Sequence, residues 1–374
     1  MSWLELFFDL VFVAAVAALA TQLHADHSTT GLAVFAGLFV PVWWGWMGYT
    51  WYATGFDGDE PVFRVGLLAG MLAIAGVSAG VAGAASGDSE TFVIAYASLF
   101  YVLAALYART WRQATMGRPL AGRLAVTNAL GATLWLTSLA LDEDTRPLVW
   151  AAAMLFLTTT FALAPWSRSS DPFDPGHVAE RYGLFTIVVL GESIVVTVAG
   201  LETGSSLAAV LVAVLGFVAA AAIWWLYFAI FKSMPVHRGV FGRFVWAQGH
   251  LLVFAGIAAA AVGVEFAVEA AAAGEPLTPA DRLPLGAGLC AYMTALAAIR
   301  AANHRADWVV SMRLAVAGAL LALAIAGLGL GPLTFVAIVT ALLAGEAAIE
   351  LARIPLRLAR SQPAGRVRTR RPRV

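Results

Sequence analysis

Residues 4–22 read LELFFDLVFVAAVAALATQ, a run in which only Glu5, Asp9, Thr21 and Gln22 carry polar side chains. A helix rises about 1.5 Å per residue, so roughly 20 such residues cross the hydrocarbon core of a bilayer. This run is therefore read as a spanning helix. Comparable stretches recur near 32–53, 65–85, 91–108, 124–141, 147–166, 182–200, 207–231, 244–268, 283–300, 309–326 and 333–350. The expected fold class is all-α: a polytopic transmembrane helical bundle of about 12 spans. Sixty-one per cent apolar residues in 374 exceed what a soluble chain needs to fill its core, and the mean hydropathy is +0.81. The connections are short, so any chemistry must sit in the helices or their loops. The chain enters its first span without a basic n-region or a small-residue cleavage motif, so that helix is expected to be retained.

Charge orders the spans. Twelve crossings place twenty-one of the twenty-three Lys and Arg residues at one face and leave only Arg146 and Arg282 at the other. Loops rich in Lys and Arg stay in the cytoplasm, so both termini are expected inside. The basic tail at 353–374 supplies eight of these charges, and the bias survives its removal. That tail is expected to be disordered. It offers charge to anionic lipid headgroups but does not suggest a nucleic-acid partner.

Two segments half a chain apart share a pattern. Glu5 and Glu180 stand at the mouths of the first and seventh spans, Trp43-Trp44 and Trp224-Trp225 in the spans that follow, and Arg64 and Arg243 before the third of each set. Because six is even, the expected units, 1–166 and 167–352, would be parallel repeats about an axis along the membrane normal.

Ionisable residues inside spans cost at least about 2.5 kcal/mol on insertion scales and are functional candidates by default. Glu192 stands about ten residues into its span, near the bilayer centre, as a candidate for proton exchange. Asp9 follows Glu5 by four residues, so both carboxylates share one helix face and call for a proton, a cation or a basic partner such as Arg313. His250, in the ninth span, is a candidate relay partner for Glu192, against the commoner role of a hydrogen-bonded packing residue. Glu346 and Glu350 repeat the four-residue spacing. Glu350 is expected to pair with Arg353, leaving Glu346 as the candidate.

Trp43, Trp44, Trp46, Tyr49, Trp51 and Tyr52 interleave with Gly45 and Gly48. Trp51 and Tyr52 suit interfacial anchoring, whereas the deeper rings, with Thr50, Trp224 and Trp225, either pack or line a cavity. Asp57, Asp59, Arg64, Glu180 and Arg181 are candidates for a cytoplasmic mouth, and solvated loop charge is the plainer reading of the first two. His24, Asp26 and His27 on the outer face offer at most a weak metal site, so no resident metal is expected. Cys290 is the only cysteine, which excludes an intramolecular disulfide. HExxH, CxxC, GxSxG and P-loop signatures are absent, which argues against common hydrolases, redox enzymes and NTPases, and no cofactor is expected.

ELFFDLVFV at 5–13, WWGWMGYTWYATGFDGDEPVFR at 43–64, ERYGLFTIVVLGES at 180–193 and the run from Trp224 to Tyr227 together resemble the bacterial low temperature requirement A family over nearly the whole chain. The resemblance implies a polytopic inner-membrane protein linked to growth in the cold. The positions matching the family pattern are Glu5, Asp9, Trp43, Trp44, Thr50, Trp51, Asp57, Asp59, Arg64, Glu180, Gly191 and Glu192.

The expected activity is transport of a proton, a small cation or a small solute by intramembrane carboxylates. The alternatives are a membrane-embedded lipid-handling factor or enzyme, or a non-catalytic membrane scaffold. Self-association is open.

Overall fold

A computed structural model describes residues 2–56, 61–114, 117–163, 174–203, 206–231, 239–303 and 307–361. Twelve α-helices follow one another: α1 (Trp3–Ala25), α2 (Thr29–Phe56), α3 (Pro61–Ser86), α4 (Glu90–Gln113), α5 (Arg118–Ser138), α6 (Arg146–Ala162), α7 (Pro175–Ala199), α8 (Leu207–Phe231), α9 (Gly239–Ala273), α10 (Pro279–Asn303), α11 (Trp308–Ala326) and α12 (Pro332–Ser361). Among the described residues there is no strand. In lipid every backbone N–H and C=O needs an internal partner, which a helix supplies within one segment.

Ten of the twelve helices are long and apolar enough to cross a membrane. The exceptions to the expected dozen are α5 and α6. At 17 residues α6 is only about 26 Å long, short of a bilayer core, and α5 carries Arg118, Arg123 and Asn128. They are consecutive, so the count of crossings stays even with or without them. Outward-facing residues fit a lipid solvent: Leu72 is 77 % exposed and Ile325 67 %, with Leu155, Val195 and Phe217 more than half exposed. A water-soluble monomer rarely shows so much apolar surface. The last helix runs on to Ser361, past residue 352, where a disordered tail was expected to begin.

Four elements meet at the centre, α1 and α2 from the first half and α7 and α9 from the second. The ends of the helices are fixed locally. Ser2 and Glu5 form a capping box on α1, the Asp174 carboxylate accepts from Gly176 N–H at 2.8 Å ahead of Pro175, and Thr278 and Asp281 cap α10 reciprocally. Asp307 caps α11 by accepting from Val309 and Val310 N–H, and also takes Arg300 Nε and Nη2 at 3.0 and 2.6 Å.

The hydrogen-bonded Arg300 guanidinium holds the Asp307 carboxyl at about 2, below its ordinary 3.8. The native pKa is lowered, so the stabilisation is complete above about pH 4 and is lost as pH falls toward 2. Asp307→Ala should cost about 1 kcal/mol near neutral pH, the usual worth of such a cap, and the gap from the native protein should shrink at pH 3. Melting curves in detergent at the two pH values check this.

Burial of apolar surface does not select helix partners in lipid, because acyl chains are as apolar as leucine. Close backbone contact does. A Cβ added at Gly256 of α9 would stand 2.5 Å from Gly288 O of α10, and one added at Gly288 would stand 2.6 Å from Gly256 O. Both obstacles are backbone and cannot rotate away. Gly256→Ala should force the pair apart and cost about 1–3 kcal/mol. Gly191→Ala, with nothing within 4 Å of the added methyl, should leave the melting temperature unchanged.

Candidate functional site

Two buried clusters have the same composition, a guanidinium facing two carboxylates four residues apart on one helix. In the first, Glu5 and Asp9 of α1 are 1 % and 0 % exposed, and Arg181 at the start of α7 reaches both. Arg181 Nη1 donates to Glu5 Oε1 at 3.1 Å and Nη2 to Asp9 Oδ1 at 2.6 Å. Glu5 Oε2 is occupied by the capping box, accepting from Ser2 N–H at 2.6 Å. Asp9 Oδ1 also accepts from Trp46 Nε1 of α2 at 2.8 Å. Its other oxygen, Oδ2, is buried without a hydrogen-bond partner. His177, one helical turn before Arg181, places Nε2 3.3 Å from Glu5 Oε1 at the partly open edge of the cluster.

The second cluster joins α11 to α12. Arg313, wholly buried, donates through Nε to Glu346 Oε1 at 3.2 Å and through Nη2 to Glu350 Oε1 at 2.6 Å. Again one oxygen, Glu346 Oε2, is buried without a partner.

These pairings correct the sequence reading. The cation opposite Glu5 and Asp9 is Arg181, not Arg313, and Arg313 instead meets Glu346 and Glu350. The side chain of Arg353, the expected partner of Glu350, lies outside the described residues. The sequence signal for the first lay in the Glu180-Arg181 pair at the mouth of the seventh span, already a candidate position. Trp46 stood in the aromatic set of the second span, but nothing in the sequence tied it to Asp9, and Ser2 and His177 carried no signal of their own, because each enters through tertiary proximity.

Between the halves lies an aromatic core. Trp43 stacks on Trp46 with ring centroids 5.3 Å apart, and Trp46 stacks on Phe185 at 4.5 Å. Tyr182 meets Trp46 edge-on at 4.9 Å and His250 at 4.7 Å. His250 is 1 % exposed, and its Nδ1 lies 2.7 Å from Trp246 O. A carbonyl only accepts, so Nδ1 carries the hydrogen and Nε2 accepts from the Tyr227 hydroxyl at 3.0 Å. Both ring nitrogens are thus engaged, neither with Glu192. Ring contacts connect His250 to Tyr182 and Tyr182 to Trp46.

Glu192 is half-buried on α7, between exposed Gly191 and buried Ser193, with exposed Val195 three residues on. It sits at the margin of the lipid-facing stripe and does not join the other carboxylates. Trp44 is buried and meets Phe161 edge-on at 5.9 Å. Trp51 and Tyr52 are buried rather than interfacial. Trp51 Nε1 donates to the Tyr182 hydroxyl at 3.1 Å and the Tyr52 hydroxyl pairs with Thr110 Oγ1 at 2.9 Å. Thr50 is fully buried, with a hydroxyl that has no partner. Trp224 is 43 % exposed and faces outward, and Trp225 is half-buried with an unpartnered indole N–H. Arg64 and Glu180 are exposed near the starts of α3 and α7. Asp57 and Asp59 lie outside the described residues.

A cavity of about 120 Å³ opens between α7, α8, α9 and α10, lined by Ser193, Thr197, Phe217, Ile223, Ile257 and Leu289 among others. Its wall is almost wholly apolar, and neither carboxylate cluster reaches it.

The family model for bacterial low temperature requirement A protein matches residues 1–347. An uncharacterized protein of Rhizobium meliloti (strain 1021) is 30 % identical over 295 residues, which is 71 % of this chain and 69 % of that protein.

Proposed function

Because this chain belongs to the bacterial low temperature requirement A family and is an integral, multi-pass membrane protein, we propose that it couples movement of a proton or small cation, or of a small solute with one, to its buried carboxylates. The observation that carries the reading is the charge balance of the two clusters. Among the described residues, each sets two carboxylates against one hydrogen-bonded guanidinium and leaves one oxygen unpaired, at Asp9 Oδ2 and Glu346 Oε2. A surplus buried charge costs several kcal/mol, so a proton or a cation that offsets it is held strongly yet has a defined place to leave from. In the first cluster His177, 24 % exposed, stands where a proton could enter from the aqueous side.

Two further features support this reading. The packing order recurs, since α1 packs on α3 as α7 does on α9, α3 on α4 as α9 on α10, and α4 on α5 as α10 on α11. Two parallel six-helix units, 1–166 and 167–352, account for that recurrence, and the first cluster joins the leading helix of one to the leading helix of the other. The excess of Lys and Arg favours termini, and with them both clusters, on the cytoplasmic side of the inner membrane.

The test is flux in liposomes containing pH- and cation-sensitive dyes. The native protein should dissipate an imposed gradient, and Asp9→Asn and Glu346→Gln should slow it at least about tenfold, the low end of what a positioned proton-transfer group contributes. Each substitution removes the surplus charge and leaves a one-to-one ion pair, so the variants should stay folded. A folded native protein that moves no protons, sodium or potassium would sink the ion-coupled reading. Weight would then pass to the second reading, a lipid-handling factor, which the apolar cavity between α7 and α10 favours because it suits an acyl chain or another apolar guest.

A further inference from the structure

We infer that His24, Glu265 and Glu269 form a binding site for a divalent transition-series cation of the zinc class, which clamps the end of α1 to the end of α9. This inference does not rest on the transport reading, since the site is at the far end of α1 from Glu5. Nineteen residues separate the two, about 29 Å along the helix, so the site lies at the opposite membrane boundary. There an aqueous cation can reach it.

The geometry is that of a ligand set. His24 Nε2 lies 3.3 Å from Glu269 Oε1 and 3.9 Å from Glu265 Oε1, and one ligand atom from each residue falls within 4.8 Å of the others. Ligands bound to one tetrahedral zinc at about 2.0–2.1 Å stand about 3.4 Å apart, so little movement is needed. Glu265 and Glu269 are four residues apart on α9 and present both carboxylates to one face. Two carboxylates and a neutral imidazole match a dication in charge, and one nitrogen with two oxygens is a donor set that suits zinc better than calcium. The side chains are 38, 15 and 29 % exposed, which leaves a coordination position for water.

Packing fixes the imidazole. Its ring stacks on Phe266 at 4.9 Å with the planes only 19° apart. The opposite view, in which a protonated His24 merely bridges two glutamates, predicts no metal uptake. The grouping that sequence proximity suggested, His24 with Asp26 and His27, does not form. Asp26 accepts from Ser28 N–H, and His27 faces Asp281 at 3.7 Å.

The test is calorimetric titration of the chelator-stripped, full-length protein in detergent with zinc chloride. One zinc per chain is expected. His24→Ala and the double variant Glu265→Gln, Glu269→Gln should each weaken binding by more than the roughly 10–100-fold that outer-shell partners cost, while His27→Ala should retain it. A second readout is thermal: zinc should raise the melting temperature of the native protein and not that of His24→Ala. No zinc uptake, or equal affinity in the native protein and both variants, would overturn the site.

Discussion

Arg181→Met is expected to cost about 3–5 kcal/mol of stability, among the largest effects of any single substitution in this protein. The side chain is 1 % exposed and its guanidinium is the counter-charge for both Glu5 and Asp9. Methionine fills much of the volume but leaves two carboxylates buried four residues apart with Trp46, Ser2 and His177 as the remaining polar partners among the described residues. Water cannot solvate them there. The loss should be read as a fall in the detergent melting temperature. A triple variant, Arg181→Met with Glu5→Gln and Asp9→Asn, discriminates between causes. If the penalty is that of orphaned charge, the triple variant should melt well above the single one. If the two melt together, lost packing of the long side chain is responsible.

Arg313→Met should be comparably costly, again about 3–5 kcal/mol, because Arg313 is 0 % exposed and holds Glu346 and Glu350. The two clusters differ in one respect that can be measured. Glu350 keeps 14 % of its side chain exposed, whereas both carboxylates of the first cluster are sealed. Glu350 can therefore turn toward water when its partner is lost, and Arg313→Met should be the milder of the two. Glu346→Gln in the Arg313→Met background should recover most of the loss, and Glu350→Gln less. Ranking these melting temperatures shows which carboxylate carries the burial penalty.

The parts of the site differ in how far sequence could reach them. Glu5 with Asp9, and Glu346 with Glu350, are visible because a four-residue spacing in a helix puts two carboxylates on one face whatever surrounds it. Their cations were not. Arg181 lies 172 residues from Asp9 and Arg313 lies 33 from Glu346, and no periodicity connects residues on different helices. Glu192 shows a different limit. Its depth in the span was legible, but depth does not say whether a side chain turns to the bundle or to lipid, and it lies at the lipid margin. Trp51 and Tyr52 were misjudged for the same reason: near a helix end, aromatic rings suit the interface and the core equally well.

By itself the sequence determined that this chain lives in a membrane, that it is helical throughout its apolar runs, and to which family it belongs. These follow from quantities summed along the chain or read in contiguous motifs: apolar length against bilayer thickness, the bias of Lys and Arg, and blocks such as ELFFDLVFV. Tertiary structure alone decided which cation meets which carboxylate, that His24 faces Glu265 and Glu269, and that His250 is closed off by Trp246 and Tyr227. In lipid, apolar contact hardly distinguishes one helix neighbour from another. The choice falls to a few buried charges, hydrogen bonds and glycine contacts whose partners are remote in sequence, and those become definite only when the helices are packed.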